Sequence, residues 1–187
     1  MKIIETKLPG VVLVQPRIFG DARGFFLETH HQLRYQQHGI HAVFVQDNHS
    51  RSQQGVIRGL HCQQQHSQGK LVTVTRGQVL DVVIDIRLGS PTFGEHISII
   101  LDDENHLQLY LPPGFAHGFC VLSETADFTY KCTEYYHPED EVGIRFDDPD
   151  LGIAWPIKTP SLSEKDANHA FLKDIPREKL PKYVEAA

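Results

Sequence analysis

The chain has 187 residues, 40% of them hydrophobic and 22% charged, which suits one domain with a real core and an ordinary surface. Its net charge of -6 argues against a nucleic-acid partner, because neutralising phosphate takes a basic face. No apolar run approaches the roughly 20 residues of a bilayer span, and Met1 to Lys7 lacks the apolar stretch of a signal peptide, so a cytoplasmic protein with no membrane partner is expected.

In chain order the sequence reads as many short strands. Val11 to Gln15, Phe25 to Glu28 and Ala42 to Gln46 come first, with one helix expected over His30 to His38 and closed by Gly39. Gly55 to His61, Lys70 to Arg76 and Val79 to Ile86 follow, then His96 to Leu101, Leu107 to Leu111, Gly118 to Leu122, Asp127 to Glu134 and Gly143 to Phe146. Turn residues separate them, as at Pro9-Gly10, Arg76-Gly77, Gly89-Ser90-Pro91 and Pro112-Pro113-Gly114. This spacing predicts an all-β sandwich or barrel. Leu80, Val82, Ile84 and Ile86 alternate with Asp81 and Asp85, the pattern of a half-buried strand. Ser163-Glu164-Lys165-Asp166 has the spacing of a capping box for a short helix. A single domain over 1–187 is expected, with a strand-rich core at about 11–150 and a tail of short helices at 151–187 that wraps the barrel. Cys62, Cys120 and Cys132 form no CxxC pair and read as reduced core thiols.

Strand parity gathers a chemical set. Residues two apart share a face, so His61 goes with Gly59 and Gln63, Lys70 with Val72 and Val74, and Tyr130 with Phe128 and Cys132. Converged on one interior, His61, Lys70 and Tyr130 offer a base, a cation and a phenolic acid, which suits proton transfer at a carbon beside a carbonyl. Each also has a structural reading: a hydrogen-bonded strand histidine, a lysine snorkelling from a strand end, a core tyrosine with its hydroxyl satisfied. A metal site of His61, His117 and Cys62 is the rival use of the histidines, but the HxH pair of metal-binding barrels is missing. No nucleophile elbow or phosphate loop occurs.

Arg23-Gly24-Phe25-Phe26, Gln46-Asp47-Asn48-His49-Ser50, Gly55-Val56-Ile57-Arg58-Gly59-Leu60-His61 and Gly69-Lys70-Leu71-Val72 together resemble the dTDP-4-dehydrorhamnose 3,5-epimerase family. So do Asp81-Val82-Val83-Ile84-Asp85, Pro113 to Phe119, Phe128-Thr129-Tyr130-Lys131 and Ser163 to Asp166, in order from about Ile18 to Asp166. The resemblance implies a cupin-like double-stranded β-helix (jelly roll) with short peripheral helices, a homodimer, and no metal or cofactor. The implied substrate is dTDP-4-dehydro-6-deoxy-D-glucose, inverted at C3 and C5 to dTDP-4-dehydro-L-rhamnose; a relative acting on C3 or C5 alone is the alternative. It further implies His61 as base, Tyr130 as acid, Lys70 as oxyanion stabiliser and Asp166 as the partner that orients the base, against the plain reading of Asp166 as a helix cap. Arg23, Glu28, Gln46, Asp47, Asn48, Arg58, His117, Glu141 and Lys165 match positions that contact the nucleotide sugar, with Phe26 and Tyr136 as aromatic walls. The Arg23 region is expected to reach the partner subunit's site. Cys62 stands where an aromatic is common in the family, and nothing after His169 is assigned.

Overall fold

Short strands bounded by turns can bury their apolar side chains only by stacking as sheets, and here they do so in two layers. The structure, a computed structural model, describes residues 1–184. Its strands are β1 (Lys2–Glu5), β2 (Val12–Gln15), β3 (Ile18–Asp21), β4 (Gly24–Leu27), β5 (Gln46–Gln53), β6 (Ile57–Gln63) and β7 (Lys70–Arg76). They continue as β8 (Gln78–Asp85), β9 (His96–Asp102), β10 (Gln108–Leu111), β11 (Phe115–Val121), β12 (Thr125–Cys132) and β13 (Glu141–Gly143). The helices are α1 (Gln32–Gln37) and α2 (Glu164–Ala167). A six-stranded sheet runs β1-β2-β10-β7-β12-β5 and a five-stranded sheet runs β13-β6-β11-β8-β9, with β3-β4 a separate hairpin. All these pairs are antiparallel. The result is the all-β jelly roll expected from the sequence.

Between the layers lies the main core. Val72 and Val74 of β7, Leu109 and Leu111 of β10 and Phe128 of β12 meet Val79 and Val83 of β8 and Phe115, Phe119 and Val121 of β11. A second cluster covers the outer face of the five-stranded sheet. Leu60, Cys62, Val82, Ile84 and Ala116 there pack under Leu151, Leu172, Ile175 and Leu180 of the tail. The tail is also stitched down by parallel bridges Val56 to Ser161, Ile144 to Ala170 and Leu88 to Lys182.

Several sequence expectations need correction. β8 is not half-buried: Val79, Asp81 and Val83 face the inter-sheet interior while Val82 and Ile84 lie under the tail, so both faces are covered. Asp81 and Asp85, assigned to a polar outer face, are fully buried. The strand expected at Ala42 to Gln46 is irregular chain, and the real strand is β5, Gln46–Gln53. Its sequence QDNHSRSQ has no apolar alternation, and it is held by register pairing with β12 from Gln46–Cys132 to Gln53–Thr125. Expected strand Gly143 to Phe146 is Glu141–Gly143 instead, and β1 and β3 were not foreseen. α1 starts at Gln32 rather than His30, and Gly39 closes it at φ 87 as a left-handed C-terminal residue should.

If the tail is a working part of the core, Leu180→Ala is expected to cost about 2–5 kcal/mol through cavity formation at a site only 3% exposed. Urea unfolding checks this; a change within about 0.5 kcal/mol would mean the tail merely lies on the surface.

Candidate active site

One end of the inter-sheet space opens as a cavity of about 540 Å³, walled by β5, β7 and β12 on one side, β6 and β11 on the other, and Glu141 and α2 at the rim. Its shape depends on an irregularity in β6. His117 pairs with His61 and Phe119 with Arg58, so two steps along β11 match three along β6. That is a β-bulge at Gly59-Leu60. Arg58 and His61 are an odd number apart and would face opposite ways on a regular strand; the extra residue lets both line the cavity. Gly59 is required there. Its φ is +119, and a Cβ would sit 2.6 Å from Gly118 Cα and 2.8 Å from the His117 carbonyl oxygen.

His61 and Asp166 meet across 105 residues of sequence, with His61 Nε2 2.7 Å from Asp166 Oδ1. Asp166 is engaged through both its backbone and its side chain. Ser163 is the N-cap, its hydroxyl accepting the Asp166 backbone N–H at 3.0 Å, while the Asp166 carboxylate, instead of closing a capping box, reaches His61. A bond donated to the carboxylate puts the His61 proton on Nε2 and leaves Nδ1 its lone pair. Burial alone pushes the Asp166 carboxyl up, but the neighbouring His169 imidazole, the hydrogen bond from His61 and the His61 charge outweigh it and hold the group well below the carboxylate range.

Around this pair lies a second set of charges. Glu141 Oε1 is 3.7 Å from His61 Nε2 and 2.7 Å from Lys165 Nζ, and Tyr136 donates its hydroxyl to Glu141 Oε2 at 3.0 Å. Burial raises the Glu141 carboxyl, and His61, Lys165 and Tyr136 bring it down to a net depression. On the facing sheet, Tyr130 and Lys70 line the same cavity, Lys70 Nζ 6.0 Å from the Tyr130 ring centre. Burial pushes the Tyr130 hydroxyl up, so it holds its proton at neutral pH. The cavity is therefore walled by the His61 imidazole on one sheet and by the protonated Tyr130 and Lys70 on the other.

Of the residues singled out in the sequence, His61, Lys70, Tyr130, Asp166, Gln46, Asn48, Arg58, His117, Tyr136, Glu141 and Lys165 line the cavity together. Arg23, Phe26, Glu28 and Asp47 lie elsewhere. Arg23 is 90% exposed and paired with Asp21, Phe26 is 68% exposed on the β3–β4 hairpin, Glu28 pairs with Arg34, and Asp47 pairs with Lys131. Two groups went unrecognised. Asp81, fully buried, accepts from His117 Nε2 at 2.9 Å and fixes that ring in the cavity wall. His169 lies 3.4 Å from Asp166 Oδ1. A charge within the apolar run of β8 was the available signal for Asp81; His169 carried none.

The metal set His61, His117 and Cys62 does not converge. Cys62 points into the outer cluster beneath the tail, where burial pushes its thiol up to about 12. Among the described residues, His61, Glu141 and His169 bring ligand atoms within 4.8 Å of one another. Two of those residues are already engaged, His61 through Nε2 by Asp166 and Glu141 through Oε1 by Lys165.

A family profile described as dTDP-4-dehydrorhamnose 3,5-epimerase matches residues 5–174. A Pseudomonas aeruginosa dTDP-4-dehydrorhamnose 3,5-epimerase is 52% identical over 168 residues, covering 89% of this chain and 93% of its own length. A solved Legionella pneumophila dTDP-6-deoxy-D-glucose-3,5-epimerase, in complex with dTDP-4-keto-L-rhamnose, is 53% identical with a TM-score of 0.96, covering 98% of this chain and 99% of its own. A 3'-monoepimerase from Streptomyces bikiniensis, solved with dTDP-quinovose, shares the fold at TM-score 0.90 but only 34% identity, over 95% and 92% of the two chains.

The depressed Asp166 carboxyl has a consequence for stability. The unfolded group takes up its proton near 3.8 and the folded one lower. Its contribution is therefore complete above about pH 5 and is lost as pH falls through the folded value. Between about pH 5 and 2 the wild type is expected to lose unfolding free energy more steeply than Asp166→Asn, in which the other carboxylates are unchanged. Parallel curves in urea titrations would show that the His61 contact contributes nothing to folding.

Proposed function

The chain belongs to the dTDP-4-dehydrorhamnose 3,5-epimerase family, and on that footing we propose that His61, Asp166, Lys70 and Tyr130 carry the reaction. The reaction is the epimerisation of dTDP-4-dehydro-6-deoxy-D-glucose at C3 and C5 to dTDP-4-dehydro-L-rhamnose, an isomerase step in dTDP-rhamnose biosynthesis. The single observation that supports the assignment is the opposition of base and acid: His61 on β6 and Tyr130 on β12 line one cavity from different sheets.

The 4-keto group acidifies the C–H bonds at C3 and C5. His61 Nδ1 takes the proton, the C–H electron pair moves into the ring, and the carbonyl electrons come to rest on O4 as an enolate. Lys70 offsets that charge. Tyr130 then delivers its hydroxyl proton to the opposite face of the carbon as the enolate collapses to the ketone, and the carbon is inverted. His61 and Tyr130 return to their starting states by exchange with solvent. Every step is a redox-neutral proton transfer supplied by side chains, so neither metal nor cofactor is part of the proposal. Asp166 holds the His61 tautomer and stabilises the imidazolium. Arg58, held by its Nε–H to Ser52 Oγ at 2.9 Å, meets the anionic part of the substrate, and His117, held by Asp81, contacts the nucleotide sugar from the same cavity wall.

The β3–β4 hairpin completes the proposal. It exposes Phe19, Phe25 and Phe26 beside Arg23, an apolar surface of the kind that a second copy covers. In a homodimer this hairpin would bring Arg23, Phe26 and Glu28 to the partner subunit's cavity. Among the described residues no helix is long and apolar enough to cross a membrane, and a cytoplasmic setting belongs to the same proposal.

Incubating the protein with dTDP-4-dehydro-6-deoxy-D-glucose in D₂O, with C3 and C5 followed by NMR, tests the chemistry. Deuterium is expected at both carbons; entry at one only would make this a single-carbon epimerase despite its relatives. His61→Ala should lower exchange at both by about 10²–10⁴, and Tyr130→Phe should leave exchange ahead of inversion; normal turnover in either removes that residue from its role. Sedimentation should give a dimer, with Arg23→Ala raising KM by about tenfold at little cost to kcat; a fully active monomer would sink the shared-site arrangement.

A further inference from the structure

His169 sits outside the cavity lining yet is built against its catalytic pair. Its Nε2 lies 3.4 Å from Asp166 Oδ1, the same oxygen that His61 Nε2 approaches at 2.7 Å. The two imidazoles stand edge to face, with centres 5.5 Å apart and planes at 83°. The ring has a reserved seat: a Cβ at Gly143 would fall inside it, and Gly143 is the β13 residue paired with His61 itself. The next residue, Ala170, bridges to Ile144, and its carbonyl accepts the Arg145 N–H at 3.0 Å. The His169 side chain is 13% exposed.

We propose that His169 is a positioning residue for the His61–Asp166 pair, dividing the Asp166 charge between two imidazoles so that the base is held in one orientation with its basicity restrained. This rests on the reading of His61 as the base. A carboxylate with a single imidazole partner stabilises that partner's cation in full; a second imidazole set against the same oxygen withdraws part of that effect. At 3.4 Å the approach makes no hydrogen bond, and the buried His169 Nε2 has no other partner among the described residues, so the influence is electrostatic. The same contact contributes to holding the Asp166 carboxyl low. The other charged groups facing the pair are Glu141 from β13, Lys165 from α2, paired with Glu141, and Lys70 across the cavity.

The test is the titration of the His61 imidazole by NMR, which needs no substrate, together with the pH profile of kcat/KM. In His169→Leu, which keeps bulk but loses the donor, the His61 midpoint is expected to rise by about 0.5–1 unit. The acid limb of kcat/KM should move with it, kcat should fall, and KM should change by less than about twofold. His169→Gln retains a donor and should return most of the shift, and Gly143→Ala, which evicts the ring, should reproduce it. An unmoved His61 midpoint in His169→Leu, or in Gly143→Ala should the first variant not fold, overturns the proposal and leaves His169 a packing residue. A midpoint that moves without the kcat/KM limb supports the positioning role and overturns the assignment of His61 as base.

Discussion

The close approach of β6 to β11 at Gly59 is the constraint on which the site depends. Without a side chain at Gly59, the β6 backbone lies against Gly118 and the His117 carbonyl at a separation no Cβ would tolerate. The bulge that results changes the parity of the strand between Arg58 and His61. A regular β6 would send one of them beneath the tail, into the apolar cluster around Leu60 and Cys62, where a charged side chain is costly. One missing methyl group thus decides which two polar residues share the cavity.

A second constraint ties the tail to the chemistry. Asp166 lies on α2, a helix of only four residues, too short to hold itself in place. It is fixed from outside. The bridge from Ser161 to Val56 clamps the chain before it, and the bridge from Ala170 to Ile144 clamps the chain after it. Both clamps attach to strands or strand ends that flank His61, and the hydrophobic seal of Leu172, Ile175 and Leu180 over the five-stranded sheet anchors the remainder. Burial of the tail and orientation of the base are therefore two effects of one packing arrangement.

Buried carboxylates recur along β8 with distinct duties. Asp81 braces His117 in the cavity wall. Asp85 accepts from Arg87, Ser90 and Thr92 and organises the turn that follows, its burial offset by those donors so that its carboxyl stays below the usual range. Both follow the rule that a charge removed from water must be met by partners, and both show why an Asp in an otherwise apolar strand need not mark a solvent face.

The sequence by itself determined the all-β class, through short alternating segments cut by Gly, Pro and Asp turns, and it determined the facing of Lys70 and Tyr130, because strand parity is a local property of period two. The ordered motifs also carried the family. What it could not reach was whatever depends on a partner strand or a distant segment. β5 escaped because its polar side chains carry no alternation and only pairing with β12 makes it a strand. β8 was misjudged because the cover over its second face comes from a tail that arrives about 90 residues later. Arg58 beside His61 needed the bulge, and the double use of Asp166 as a capped backbone position and a carboxylate partner needed both clamps. His169 had no sequence signal, since its role lies in a ring seated over Gly143 against a carboxylate that tertiary packing alone delivers. Local periodicity fixes which way a side chain points; only the closed fold fixes what it meets.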